Sequence, residues 1–346
     1  IAIWTNATTI KGMSALEIST DGTITLSQPN STPSTTNSYN IGGGNIANVT
    51  GLHNVGFGKD NLFSLTSGAQ NVAIGGDALK SNTEGLFNIS IGYLSLESNT
   101  TGNSNIAIGN QALYSNTYAS NNISVGSNAL MSNETGANNV AIGVSTMSDN
   151  TTGTANIAIG YQSLKDVTTG GSNVAIGYQS LKTNQDQNDN VAIGSSSMLN
   201  NTGNKNIAIG TNTLYASGFN ISNVAIGHES LKDVTTGSRN TAIGYHSGTD
   251  NITGLDNTFI GYQSGYQMTS GNNNVIIGAF GGSTINGSSN NIIISDGDGN
   301  NRLQFGSTGT ATFNGDVRFE GDLYPVKNDG FIYFGSNSVA RIQHIS

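Results

Sequence analysis

The sequence predicts an all-β fold, a repetitive β-solenoid or β-roll with about one coil per 17 residues. Three observations carry that expectation. The motif Asn-Val/Ile-Ala-Ile-Gly returns fifteen times from Asn54 to Asn291, always at 17 residues except for the 16 between Asn190 and Asn206. Charged residues are only 10% of the chain, far below the roughly 25% of ordinary soluble domains. Polarity is carried by Asn, Ser, Thr and Gly, which suits stacked strands, because like charges on successive rungs repel. Long helices are excluded by how often Gly, Asn and β-branched residues recur.

Three zones follow in order. Residues 1–39 read as a β leader, in which Ala15 to Leu26 alternates apolar and polar about Asp21-Gly22, a hairpin signal. Pro29 to Pro33 reads as a linker. Residues 40–295 form the repeat array, with an irregular first turn near Asn40-Ile41-Gly42. Residues 296–346 read as a C-terminal β stalk of short segments between Gly turns: Arg302-Leu-Gln-Phe, Thr310-Ala-Thr-Phe, Asp316-Val-Arg-Phe and Phe331-Ile-Tyr-Phe.

Within the repeat, numbered from its Asn, positions 2 and 4 are Val/Ile and Ile in nearly every copy, so one face of a short strand is apolar. Position 5 is Gly in every copy but the last, where it is Ser295; this implies a corner at positive φ or a close backbone approach. Position 9 is Leu or Met from Leu62 to Leu231 and closes the far side of the coil. Position 15, usually Gly, marks the return turn. Positions 6–9 read equally as a second strand or one helical turn. The Asn at position 1 either hydrogen-bonds its equivalents along the axis or bonds its own turn.

A coil with three inward apolar side chains has a thin core, so assembly is expected to supplement it. Position 3 lies opposite positions 2 and 4 and is Gly, Ala or Ser in the first twelve copies. This is the pattern expected if another chain approaches closely, and it places Ala107, Ala158 and Ala208 near the axis of a parallel homotrimer. The last three copies carry Phe259, Ile276 and Ile293 there, while position 9 becomes Gly248, Gly265 and Gly282. The change reads as a transition to a thinner, interwound stalk.

The net charge of −9 with only 12 Lys and Arg leaves no basic stripe for nucleic acid. Cysteine is absent, and no run of 18 apolar residues suggests membrane insertion. The start at Ile1 suggests a processed chain or a piece of a longer one.

Reactive chemistry is sparse, and neither a catalytic residue, a cofactor nor a metal is expected. His53, His228, His246 and His344 show no zinc-ligand spacing along the chain. Asp60 and Asp77 share position 7 on adjacent coils, about 4.8 Å apart, near the roughly 5–5.5 Å of a retaining glycosidase pair, but two solvated acids on an exposed edge are the expected reading. Asp296-Gly-Asp-Gly-Asn300 begins like a calcium loop but lacks its glutamate, so a tight turn is expected. Tyr93, Tyr161, Tyr178, His228, Tyr245 and Tyr262 occupy position 6, beside the corner. They are the receptor-contact candidates, able to stack on sugars or on neighbouring coils.

The motif Asn-Val-Ala-Ile-Gly resembles the head repeats of trimeric autotransporter adhesins. The 17-residue form, as in Asn156 to Gly170, is similar to repeats of bacteriophage tail-fibre proteins. That resemblance covers roughly residues 40–346. It implies a trimeric extracellular fibre on a virion tail that attaches to a host-surface glycan or protein and joins other virion tail proteins. A bacterial surface adhesin or filament, and a polysaccharide-degrading tail spike, are the alternatives.

Overall fold

The computed structural model describes residues 53–314 except 217 and 310, together with the backbone of four preceding strands. β1 (Ala15–Ile18) and β2 (Ile24–Ser27) pair antiparallel with Ile18 opposite Ile24, which gives the hairpin expected about Asp21-Gly22. β3 (Thr36–Ile41) and β4 (Gly44–Val49) form a second hairpin where an irregular first coil was expected. The Pro29–Pro33 linker and the segments at Asp316 and Phe331 lie outside the described residues.

One short strand per repeat follows. The series starts with β5 (Val55–Phe57) and β6 (Val72–Ile74), continues through β11 (Ile157–Ile159) and β12 (Val174–Ile176), and ends with β17 (Thr258–Ile260), β18 (Val275–Ile277) and β19 (Ile292–Ser295). Successive strands pair parallel and in register: Val72 lies beside Val55, Ala175 beside Ala158, Ile276 beside Phe259. The product is a parallel β-solenoid, as the period predicts. At about 4.8 Å per rung its fifteen strands span roughly 70 Å. β20 (Asn301–Phe305) and β21 (Ala311–Phe313) then continue the sheet antiparallel.

Hydrogen bonds between coils run all the way round the repeat. In the coil starting at Asn71, the N–H groups of Val72, Leu79, Ser81 and Thr83 donate to the following coil, and those of Gly75, Asp77 and Phe87 donate to the preceding one. Positions 6–9 are therefore neither strand nor helix. They form a turn in which positions 7 and 9 are left-handed, as at Asp77 (φ 55°) and Leu79 (φ 50°), and position 17 is left-handed too. Each such residue costs about 1–2 kcal/mol, which the inter-coil hydrogen bonds offset. None of the non-glycine residues at positive φ is Val, Ile or Thr, the types for which this conformation is worst. At the position-5 corners from Gly58 to Gly261 φ is near 130–140°, and a Cβ on Gly143 would lie 2.6 Å from the carbonyl oxygen of Gly160. Only glycine fits where a further coil follows.

The two faces of each strand are reversed from the sequence expectation. Position 3 points into the coil: Ala107, Ala158 and Ala208 are fully buried within one chain. Positions 2 and 4 point outward, and Ile157 and Ile159 remain 39% and 37% exposed. Volume decides this. Strand alternation puts either position 3 or positions 2 and 4 inside. The interior, tightened by left-handed turns, is already occupied by Leu or Met of position 9 and has room opposite it for a methyl group. The small residues at position 3 therefore report a narrow coil rather than a neighbouring chain, and they give no reason to place Ala107, Ala158 or Ala208 on a trimer axis. Where position 3 is serine, its hydroxyl donates across the interior, as from Ser124 Oγ to the Ala129 carbonyl at 2.8 Å.

The position-1 asparagines form the expected axial ladder and also bond the return turn. Asn71 donates through its backbone N–H to Asn54 Oδ1 (2.8 Å) and through Nδ2 to the Gly85 carbonyl (2.8 Å). A second ladder at position 12 was not expected. Asn99, Asn116, Asn133 and Asn150 are fully buried, each donating Nδ2 to the preceding Oδ1 at 2.6–2.9 Å.

The coils of Asn240 and Asn257 keep this outline with a different filling, whereas the coil of Asn274 turns through a short 3-10 helix at Ser283–Ile285. Phe259 at position 3 is fully buried, and its ring occupies the space that a side chain at Gly248 or Gly265 would need; a Cβ at Gly248 would sit 2.7 Å from Phe259 Cδ2. Met268 plays the same part against Gly282. The exchange of large and small residues is compensation inside one chain, so it gives no reason of its own to expect an interwound stalk.

Candidate functional site

Position 6 follows the glycine corner, so its side chains project from the solenoid edge in a single axial row. The structure places all six sequence candidates there, exposed. It joins five of them into two stacks. Tyr161 and Tyr178 stack with ring centroids 5.6 Å apart. His228, Tyr245 and Tyr262 form the second stack at 5.3 and 5.4 Å, nearly parallel. Ser195 and Thr211 separate the stacks, and Tyr93 stands apart from both. Inside a stack each ring covers its neighbour's face, so the row offers ring edges along its length and free faces only at its ends and at Tyr93.

Beside the second stack lies a polar cluster that the sequence reading missed. His228 and Glu229 sit at positions 6 and 7 of one coil, and His246 at position 7 of the next. One donor atom from each lies within 4.8 Å of the other two. Glu229 is bound at both oxygens: Lys232 Nζ donates to Oε1 (3.0 Å), and His246 Nε2 faces Oε2 (3.3 Å). Burial alone would raise the Glu229 pKa, but the hydrogen bond from Lys232 and the nearby positive charges outweigh it and leave the carboxyl below its usual range. His246 stacks on His228 (5.6 Å) and packs tilted against Tyr245 (4.1 Å), and its Nδ1 is buried without a hydrogen-bond partner. The signal was present in the sequence as a separation of one period plus one residue between His228 and His246. A search for ligand spacing along the chain does not test that separation.

The other candidates are accounted for locally. Asp77 pairs with Lys80 at 2.8 Å and Asp60 with Lys59 at 3.8 Å, so each carboxylate has its own lysine. Asp296 closes the turn between β19 and β20. Its Oδ1 accepts the N–H groups of Asn300 (2.9 Å) and Asp298 (3.1 Å), and Arg302 donates to Oδ2 (2.6 Å). The backbone hydrogen bond from Asn300, helped by Arg302, lowers its pKa to about 2. This is the tight turn expected there. An open groove of about 340 Å³, lined by Asn188, Asp189, Asn204, Lys205 and Ile221, flanks the 16-residue coil.

The largest surface feature is apolar. Val55, Phe57 and twelve isoleucines between Ile74 and Ile294, all at positions 2 or 4, are 37–52% exposed. They form two parallel rows up one face. No family model matches the chain, and neither a curated protein nor a solved structure matches it significantly. Among the described residues, no helix is long and apolar enough to cross a membrane.

Proposed function

We propose that the chain is a structural and binding unit of an extracellular fibre, assembled from three parallel copies and contacting a host-surface glycan or protein through its aromatic row. In this reading the fibre is part of a bacteriophage tail, and other tail proteins hold it.

The exposed apolar rows carry the reading. At roughly 70 Å² for each outward side chain they amount to on the order of 1,000 Å² per chain, above the roughly 800 Å² per partner of a standard interface and larger than monomers ordinarily expose. A surface that is apolar and stepped at the rung spacing along the array is best matched by the same surface on another copy. Each chain has two rows. Around a three-fold axis the position-2 row of one chain meets the position-4 row of the next, and the ring closes. The aromatic row then appears three times on the outside, so weak contacts gain avidity.

Sedimentation equilibrium tests the assembly: three chains are expected. The double substitution Ile157→Lys, Ile159→Lys should give monomers with unchanged circular dichroism, because both side chains point out of the coil. A monomeric native chain would sink the proposal, and a dimer would overturn the three-fold arrangement. Loss of host-cell binding in a Tyr161→Ser, Tyr178→Ser trimer would support the receptor row; unchanged binding would remove it.

A further inference from the structure

We infer that His228, Glu229 and His246 form a binding site for a divalent transition-metal cation, zinc being the best match, which clips the coil of Asn223 to the coil of Asn240. The site does not depend on how the chains assemble.

The donor set is two imidazoles and one carboxylate, the combination that suits zinc with a fourth position open to water. The geometry agrees. Bonds of about 2.0–2.1 Å to a tetrahedral zinc put neighbouring donor atoms roughly 3.3–3.4 Å apart. His246 Nε2 and Glu229 Oε2 are 3.3 Å apart. That matches a tetrahedral edge and is longer than the about 2.7–2.9 Å of a charge-assisted hydrogen bond. Lys232 holds Oε1 and so presents Oε2 as a single donor. His228, exposed and on the same coil as Glu229, completes the set by closing from within 4.8 Å, a movement on the order of 1 Å to reach the tetrahedral spacing.

The two ligand-bearing coils are already held in register by backbone hydrogen bonds, among them His246 N–H to the His228 carbonyl (2.9 Å). His228 stacks on both Tyr245 and His246, and Tyr245 packs tilted against His246, which keeps the rings together. One feature limits affinity. His246 Nδ1 has no acceptor, whereas a ligating histidine ordinarily donates its other N–H to a carboxylate or carbonyl. The missing anchor costs about 10–100-fold in affinity.

The repeat supplies substitutions the fold already tolerates. Position 7 is asparagine at Asn128 and Asn212, both left-handed, and glutamine at Gln162, Gln179 and Gln263; position 6 is tyrosine at Tyr161 and Tyr178. Titration of the full chain, without a histidine tag, with zinc chloride by calorimetry should give one ion per chain above pH 7. Cobalt(II) in its place should give the intense visible absorption of a tetrahedral site. His246→Asn, Glu229→Gln and His228→Tyr should each lower affinity at least 10-fold and abolish the cobalt spectrum, with circular dichroism unchanged. Zinc stoichiometry and affinity unaltered in the triple variant, or no binding by the native chain, would overturn the site.

Discussion

The coils up to Leu231 and the coil of Asn257 keep the same strand register and left-handed corners, but they fill the interior in opposite ways. In the coil of Asn156, Ala158 faces Leu164; in the coil of Asn257, Phe259 faces Gly265. Position 12 shifts as well, from the Asn99–Asn150 ladder to Met268 and Ile285, although Val167 and Val234 anticipate the change. The difference shows what the fold fixes. Backbone hydrogen bonds and left-handed corners set the cross-section, and side chains need only fill it to a constant volume, from whichever wall the bulk comes.

The strongest test removes the bulk from the late region. Phe259→Ala should cost about 3–5 kcal/mol in urea unfolding, and Gly265→Leu alone should also destabilise by steric conflict with the ring. Combined, they recreate the Ala158/Leu164 arrangement, and the double variant should be more stable than the sum of the single effects by about 0.5–3 kcal/mol. Strict additivity would refute the exchange. The converse substitution, Ala158→Phe, overpacks a coil bounded by Met147 and Leu164, and about 1–3 kcal/mol should be lost. An unchanged midpoint would mean that the early interior is wider than described.

A smaller effect separates the polar ladder from its apolar replacement. Asn133→Ala removes a rung between Asn116 and Asn150 and leaves Asn116 Oδ1 without its donor, so about 1–3 kcal/mol should go. Asn133→Val, which copies Val167, should cost less; equal losses would deny the ladder a specific role. The smallest effect lies at the end of the array. Asp296 has a folded pKa of about 2, below the ordinary aspartate value of 3.8. The lowered value means the charged form favours the folded turn. Its contribution is therefore present above pH 4 and lost as pH falls towards 2. Amide exchange at Asn300 should quicken relative to the array core over that window, and Asp296→Asn should remove the dependence.

Much of this architecture could be read from the sequence because a solenoid repeats its constraints. Gly58 and its equivalents announced the corner, Leu62 and its equivalents the far wall, and Asn54 and its equivalents the axial ladder. The orientation of the strand could not be read the same way. Alternation within Val140-Ala141-Ile142 shows two faces but does not say which is inside; the answer depends on the width left by turns whose left-handed residues carry no obvious signature. A trace of them exists in the lack of β-branched residues at positions 7, 9 and 17. The exchange of Phe259 for Gly265 was visible, but without a known interior it read as an assembly change. At the candidate site, the row from Tyr161 to Tyr262 followed from register, whereas Glu229 and His246 meet only through coil stacking.

The one short coil carries a consequence for how such an array changes length. Between Asn190 and Asn206 a residue is missing, yet Asn206 N–H still bonds Asn190 Oδ1 at 3.0 Å, and Asn190 Nδ2 reaches the Gly203 carbonyl. The omission is absorbed after Asn201, and the strands on either side stay in register. Because each coil meets its neighbours through equivalent groups above and below, an in-frame duplication or loss of a whole repeat leaves both flanks with the partners they had. The length of the rod can then change one rung at a time without a new fold having to evolve.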